Sequence, residues 1–184
     1  MRERLLDSTV ACLVEYGYSG ATVSRIAERA GVTRGAQVHH YPTKEALVVA
    51  AIRHLAEQLA EQVASEVPRI ARSSDPVGAA LDVLWRLHRG PIFAATVELW
   101  VAARTDSELA RQVGEVEPML RHALGAVSTP ELSDYLADET ALNALFTSMD
   151  AIRGLLISTW HLPSRQVDAR WRRAKAELRR LYVG

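Results

Sequence analysis

Apolar residues recur at the spacing of an α-helix along almost the whole chain. In the first segment Leu6, Val10, Leu13 and Val14 fall at positions i, i+4, i+7 and i+8, which places them on one helical face. Valine, isoleucine and threonine nowhere alternate with polar residues over the length of a strand. The pattern therefore predicts an all-α protein without a β-sheet.

Glycine, proline and threonine residues divide the chain into nine predicted helices. Thr22, Thr33 and Thr43 each precede a helix and are predicted N-caps, because a threonine hydroxyl accepts hydrogen bonds from the free N–H groups of a first turn. A loop is predicted from Pro68 to Pro76. The helices are predicted over about residues 2–16, 22–30, 33–41, 44–66, 77–89, 92–104, 106–127, 138–161 and 164–182.

The composition is that of an ordinary globular protein, with 48% hydrophobic and 24% charged residues among 184. No apolar run approaches the ~18–20 residues that cross a bilayer, and the residues after Met1 do not form a signal peptide. The single cysteine, Cys12, excludes an internal disulfide and a cysteine zinc site, and it fits a buried thiol in a reducing cytosol. We therefore expect a cytoplasmic protein that does not bind a membrane.

The formal net charge is zero, but the charges are unevenly distributed. Residues 1–44 hold six basic and four acidic groups, residues 45–163 hold nine and sixteen, and residues 164–184 hold seven and two. A surface that binds nucleic-acid phosphates must therefore be local. One such surface is predicted between Arg29 and Lys44, a stretch with basic residues and no Asp or Glu.

The most informative stretch is residues 22–44, where two short predicted helices are joined by a tight turn at Gly31. This is the arrangement of a helix-turn-helix, whose second helix enters the DNA major groove. A helix of about eight residues spans ~12 Å, which is close to the width of that groove. Arg34, His39 and His40 supply hydrogen-bond donors for phosphates and base edges. The same shape also occurs in proteins that never bind DNA, and both histidines also fit an ordinary surface.

Two motifs in this stretch resemble the DNA-binding module of the TetR family of bacterial transcriptional regulators. The first is Ala-Gly-Val-Thr-Arg-Gly at residues 30–35, and the second is Thr-Lys-Glu-x-Leu at residues 43–47. An aromatic and histidine cluster lies between them, and the resemblance extends over about residues 4–56. It implies a three-helix DNA-binding domain at residues 1–45, followed by a larger helical domain for ligand binding and dimerisation at residues 46–184, with about nine helices in all.

The resemblance also implies roles for individual residues. The two threonine caps would touch phosphates, and Lys44 would reach a phosphate from the start of the fourth helix. Arg34 and Val38 would face bases, and Gly35 would allow a close approach to the groove. The implied DNA-binding residues are Thr22, Thr33, Arg34, Gly35, Gln37, Val38, His39, His40, Tyr41 and Lys44.

Two residues depart from the family pattern, which usually has Leu-Tyr where this chain has Gln37-Val38. The leucine position is normally buried, so Gln37 is either a residue that reads bases or a hydrogen-bonded polar group inside the domain. Val38 lacks the tyrosine ring and hydroxyl, so we expect it to contact a thymine methyl group.

Residues 77–127 combine apolar and aromatic side chains with a few polar ones. Small-molecule pockets are usually lined in this way, and the family resemblance implies a ligand cavity here. Aromatic residues at helical spacing are also common in ordinary cores, and the sequence leaves that alternative open. The predicted ligand-binding residues are Trp85, His88, Phe93, Trp100 and Met119.

The last two predicted helices each carry a wide apolar stripe. Pairing both helices with their copies in a second chain would form a two-fold symmetric four-helix bundle, whereas packing within the chain is the alternative. The basic residues between the stripe positions are predicted to form a solvated face that pairs with the acidic region. The stripes are Leu142, Leu145, Phe146, Met149, Ile152, Leu155 and Leu156, then Val167, Trp171, Ala174, Leu178 and Leu181.

Together these signals predict a homodimeric repressor whose partners are a double-stranded DNA operator and a small, largely apolar effector. The alternative is a DNA-binding protein that acts without a ligand, either bound to the chromosome or controlled by a partner. The chain has no Gly-rich phosphate loop, no nucleophile elbow and no HExxH pair. Four of its six histidines are scattered, and the adjacent His39 and His40 point to different sides of a helix, which makes a poor metal pair. We therefore expect neither an enzyme nor a bound metal or cofactor.

Overall fold

The computed structural model describes residues 1–114, 118 and 138–182, and within these ranges the secondary structure is helical. No helix in this part of the chain is both long and apolar enough to cross a membrane. The predicted all-α fold class is confirmed. The described helices are α1 (Arg2–Gly20), α2 (Val23–Ala30), α3 (Arg34–His40), α4 (Lys44–Ala71), α5 (Pro76–His88), α6 (Pro91–Ala103), α7 (Ser107–Gly114), α8 (Glu139–Thr159), α9 (Ser164–Leu178) and a 3₁₀ helix (Arg179–Tyr182).

The three predicted threonine caps are confirmed. The hydroxyls of Thr22, Thr33 and Thr43 each accept a hydrogen bond from the backbone N–H three residues later, at 3.3, 3.2 and 3.1 Å respectively. These bonds satisfy N–H groups that a helix leaves free in its first turn. The starts of α2, α3 and α4 are therefore determined locally.

Two helix ends differ from the prediction. α1 continues to Gly20 after a kink at Gly17, where φ is 66°. α4 runs through Pro68 to Ala71, although the prediction ended it near residue 66. Proline has a helical φ, so the helix continues, but Pro68 has no N–H to donate to the carbonyl four residues earlier. The predicted helix over residues 106–127 is described only as far as Gly114.

One compact unit comprises Met1–Ala60 and Gly90–Ala126. Its described part has a continuous apolar core, to which α1, α2, α4, α6 and α7 contribute. The predicted DNA-binding domain, residues 1–45, lies inside this unit, together with the first part of α4 and with α6 and α7. Core side chains that are at most 1% exposed include Leu5, Leu13, Ile26, Leu47, Leu99 and Leu109.

The other compact unit comprises Glu61–Arg89 and Val127–Gly184. Within it α8 packs against α5 and α9. Trp85 of α5 and Trp171 of α9 stack with parallel rings whose centroids are 4.6 Å apart, and both side chains are buried. Large aromatic rings contribute much of the apolar area in such a core, so this pair joins the two helices.

Ion pairs add to the packing between α5 and the C-terminal end of the chain. Lys175 lies 2.6 Å from Asp82, and Arg179 lies 2.9 Å from Asp75. The predicted pairing of basic tail residues with acidic residues earlier in the chain is therefore present at these two positions. Both pairs are partly exposed to solvent, and each contributes about 1 kcal/mol or less.

The apolar stripes that were predicted to face a second chain are used inside this unit. On α8 the side chains of Met149, Ile152 and Leu156 are buried, and on α9 those of Val167 and Leu178 are buried. The alternative of packing within the chain holds for these residues, because α5 packs against α8 and its Trp85 stacks on Trp171 of α9. A dimer formed through α8 and α9 would use the faces that this packing leaves exposed.

Candidate DNA-binding site

The turn between α2 and α3 is built around Gly31. This residue ends α2 in the left-handed conformation, with φ 64° and ψ 37°, which residues with a side chain adopt only at a cost. The N–H of Gly31 donates to the carbonyl of Glu28, and the N–H of Val32 donates to that of Ala27, both at 3.0 Å. Thr33 then caps α3, so the predicted helix-turn-helix is formed by local turn chemistry.

α3 presents most of its predicted DNA-binding side chains to solvent. Val38 is 44% exposed although it is apolar, which suits contact with a thymine methyl group. A Cβ added to Gly35 would meet only the Thr33 hydroxyl, at 4.0 Å, so packing within the chain does not require glycine there. The exposed residues of α3 are Arg34, Gly35, Val38, His39 and His40.

The two arginines of α2 are held by groups on α1. Arg29 forms an ion pair with Glu15, and Arg25 donates to the carbonyl of Gly20 at 2.8 Å. The guanidinium of Arg25 also lies 4.7 Å from the ring centroid of Tyr16. The positive charge of Arg29 is therefore compensated within the chain, and the sequence pattern did not show this because Glu15 lies outside the carboxylate-free stretch.

Lys44 joins the start of α4 to the end of α1. Its Nζ donates to the carbonyl of Tyr18 and lies 3.9 Å from the centroid of the Tyr18 ring. Burial lowers the pKa of the Lys44 amine, and the neighbouring Glu45 carboxylate opposes that shift. An ammonium group has three N–H donors, so the predicted phosphate contact would use the remaining two.

Gln37 and Tyr41 lie in the core rather than on the exposed face of α3. Gln37 is fully buried, and its Nε2 donates to the backbone carbonyl of Tyr41 at 2.6 Å. Of the two alternatives left open by the sequence, the structure therefore shows the buried, hydrogen-bonded residue. Tyr41 is 7% exposed, so its predicted contact with the DNA backbone depends on its hydroxyl group.

Arg2 is a candidate site residue that the sequence analysis missed. It is exposed near the start of α1, and its Nε donates to the hydroxyl of Tyr41 at 2.9 Å. The two residues are 39 positions apart, and no local motif connects them. Only the packing of α1 against the helix-turn-helix brings Arg2 to the end of α3.

The five predicted ligand-binding residues are not brought together within one unit. Phe93 and Trp100 of α6 belong to the first unit, where their rings meet edge to face with centroids 6.2 Å apart. Trp85 and His88 of α5 belong to the second unit. Met119 lies outside the described residues. The ligand-binding set therefore stays a prediction.

His88 is an uncharged polar group in the second unit at neutral pH. Burial lowers its pKa to about 4, the positive charge of Arg153 acts in the same direction, and the hydrogen bond to Leu84 opposes both. The Nδ1 atom lies 2.8 Å from the Leu84 carbonyl, so Nδ1 carries the proton and donates. A neutral imidazole on an apolar helix is a suitable polar group for orienting an apolar ligand.

Comparison with known proteins agrees with this geometry. Residues 5–51 match the model of the family described as bacterial regulatory proteins, tetR family. The chain is 28% identical over 159 residues to the HTH-type transcriptional regulator CymR of Pseudomonas putida, across 85% of this chain and 78% of that protein. It is 29% identical over 158 residues to the HTH-type transcriptional repressor AcnR of Corynebacterium diphtheriae, across 85% and 79%. The crystal structure of the multidrug binding protein EbrR complexed with ethidium matches with a TM-score of 0.68, at 25% identity, across 98% of this chain and 97% of that chain.

The fold and the exposed α3 define an all-α helix-turn-helix DNA-binding protein. The matches confirm the resemblance found in the sequence: residues 5–51 match the DNA-binding module of the tetR family of bacterial regulatory proteins. The members of that family are DNA-binding transcriptional regulators and not enzymes, which agrees with the prediction for this chain.

His88 should make the stability of the fold depend on pH. Its pKa is about 4 in the folded protein and 6.5 as the ordinary value, so the unfolded chain binds more protons between these two pH values. Stability should therefore fall as the pH decreases through this window, by about 1–2 kcal/mol between pH 7 and pH 5. The measurement is urea unfolding at a fixed protein concentration.

His88→Leu should reduce the loss of unfolding free energy between pH 7 and pH 5, because the titrating group is gone. His88→Phe, which is closer in size, should behave alike and thereby separate the effect of charge from that of volume. An unchanged pH dependence in both variants would show that His88 does not carry it.

Proposed function

We propose that the protein is a dimeric repressor that binds a palindromic DNA operator and leaves it when a small, largely apolar ligand binds. The proposal rests above all on the exposed face of α3, which combines Arg34, Val38 and two histidines in a stretch without carboxylates. The names of the similar proteins, which include a transcriptional repressor, support it. A bacterial protein with this function acts in the cytoplasm, where the chromosome lies.

The DNA-binding face combines base contacts with phosphate contacts. Arg34 and Val38 would read base edges in the major groove, and Gly35 would allow the backbone to approach them. Thr22 and Thr33 lie exposed at the N-terminal ends of α2 and α3, where N–H groups and the helix dipole favour phosphates. Further proposed DNA-binding residues are Gln37, which acts from inside the domain, and His39, His40, Tyr41 and Lys44.

The proposed dimer is formed through the outer faces of α8 and α9. On α8 the apolar side chains of Ile157 and Trp160 are 42% and 58% exposed. Small exposed residues on α8 and α9 would let two helices approach closely, and a two-fold axis would place the two recognition helices ~34 Å apart. The exposed small residues are Ala151, Gly154 and Ser158 on α8 and Ala169 and Ala176 on α9.

The proposed ligand acts by binding the two states of the dimer unequally. EbrR, which is 25% identical to this chain, is a multidrug binding protein crystallised with ethidium. A ligand that prefers the state with altered spacing of the recognition helices would weaken DNA binding by a coupling of ~1–3 kcal/mol. The proposed ligand-binding residues are Trp85, His88, Phe93, Trp100 and Met119.

The parent protein should protect a palindrome of roughly 15–25 base pairs in footprinting, with affinity that falls steeply with salt. Suitable probes are the DNA upstream of its own gene and a randomised library. Arg34→Ala should lower the affinity for the selected site by about 10–100-fold and the affinity for scrambled DNA much less, because it removes a base contact. Lys44→Ala should lower the affinity for all DNA sequences about equally. It should also reduce the salt slope, which is the slope of the logarithm of the binding constant against the logarithm of the salt concentration, by about 1.

Arg72→Ala is the matched control, since Arg72 is an exposed arginine in the loop after α4. It should leave the affinity within about twofold of the parent. A parent protein that protects no fragment at low salt would refute the proposed function, and unchanged binding by both site variants would refute the assignment of their roles.

Ile157→Glu should convert the dimer into a monomer in sedimentation velocity, because it places a carboxylate in the proposed apolar interface. Operator binding should weaken with it, since a monomer covers only half of a palindrome. Val101→Glu is the control, because Val101 is 57% exposed on α6 and should leave the dimer intact. A dimeric Ile157→Glu variant would place the interface elsewhere.

A ligand of the proposed class should raise the dissociation constant of the operator complex by about 5–150-fold. The probes are a panel of planar aromatic cations, including ethidium, and of neutral apolar compounds, followed by fluorescence anisotropy of labelled operator. Trp100→Ala should abolish the response, and Val101→Ala, next to it on α6, should keep it. If no compound releases the DNA, the ligand-independent alternative is supported instead.

A further inference from the structure

We propose that Gln37 is a positioning residue of the recognition helix. Its buried amide holds the C-terminal end of α3 in the orientation that DNA binding needs, and through Tyr41 it also places Arg2 beside the DNA backbone. The inference deepens the proposed function and rests on it.

The main chain of Tyr41 is bonded to Gln37 at both of its polar groups. The Tyr41 N–H donates to the backbone carbonyl of Gln37 at 2.8 Å, and the side-chain Nε2 of Gln37 donates to the carbonyl of Tyr41 at 2.6 Å. Tyr41 is the residue at which α3 ends, with φ −140° and ψ 97°. The first bond is an ordinary helical one, whereas the second depends on the Gln37 side chain and fixes the Tyr41 carbonyl where the chain turns away from the recognition helix, directly after the exposed His39 and His40.

Within the described part of the chain, the oxygen of the Gln37 amide is not hydrogen-bonded as its nitrogen is. The Oε1 atom of Gln37 is buried and has no hydrogen-bond partner among the described residues. An unsatisfied buried acceptor destabilises a fold. A leucine of similar size would remove that cost but would also leave the Tyr41 carbonyl without its donor, so the two effects on stability oppose each other. The amide therefore contributes geometry rather than stability, and the bond from Nε2 to Tyr41 is the contact through which it does so.

Tyr41 in turn contacts α1 through its side chain. Its hydroxyl accepts a hydrogen bond from the Nε of Arg2, and the Arg2 side chain is exposed. A guanidinium has four further N–H donors, which suit a phosphate at the flank of the recognition helix. Arg2 thus becomes a phosphate-binding residue whose position depends on Tyr41 and, through it, on Gln37.

The first experiment compares Gln37→Leu with the parent protein. Thermal unfolding is followed by circular dichroism, and affinity is measured for the operator fragment that the parent protects and for a scrambled fragment. Gln37→Leu should unfold at the same or a higher temperature and yet bind the operator about tenfold more weakly. The ratio of operator to scrambled affinity should fall as well, which a purely structural role would not change.

Gln37→Met provides a second variant, and Ile26→Leu shows what changing another fully buried side chain of the same unit does by itself. Operator affinity within twofold of the parent in Gln37→Leu and Gln37→Met would overturn the inference. So would failure of both to fold, since the amide would then serve stability. If the parent itself protects no DNA, the proposed function fails first.

The second experiment tests the link to Arg2. Arg2→Gln should weaken operator and scrambled DNA by a similar factor of about three and lower the salt slope by about 1. Tyr41→Phe, which keeps the ring and both main-chain bonds, should reproduce most of that loss. In the Gln37→Leu background Arg2→Gln should cost less than twofold, because the two residues act through one network. Losses that simply multiply would refute the link.

Discussion

The DNA-binding site depends on the apolar core beneath it. α2 has eight residues and α3 has seven, and helices this short do not persist in water by themselves. Ile26 of α2 is fully buried in a cluster with Leu13 of α1, Leu47 of α4 and Leu99 of α6. Removing this apolar surface from water holds the two short helices against longer ones, and the exposed face of α3 exists only as a consequence.

Basic residues of the first unit divide into two groups with different tasks. Arg25, Arg29 and Lys44 bind carbonyls, a carboxylate or a tyrosine ring and thereby join α2 and α4 to α1. Arg34 of α3 stays exposed, so its charge is presented to the surroundings. A helix-turn-helix needs both kinds, because phosphate contacts have value only if the helices that carry them are held in one arrangement.

In the second unit the amphipathic pattern of α8 and α9 does not determine what their apolar stripes pack against. These stripes could face another copy or another helix of the same chain, and the pattern is the same in both cases. For the buried residues of the stripes α5 supplies a partner, because it packs against α8 and its Trp85 stacks on Trp171 of α9. The stripe residues Leu142, Leu145, Phe146 and Leu155 stay half-buried. What remains exposed on α8 is a face of small residues with Ile157 and Trp160.

The sequence by itself determined the all-α class, the threonine caps, the turn at Gly31 and the helix-turn-helix, since each depends on neighbours within a few residues. The motifs at residues 30–35 and 43–47 also carried the resemblance to the tetR family, whose model matches residues 5–51. Only the tertiary structure decided that Gln37 is buried, that Glu15 compensates Arg29 and that Arg2 meets Tyr41. These facts depend on which helices share a core, because neither the burial of a polar side chain nor charge pairing between distant segments can be read from local apolar periodicity.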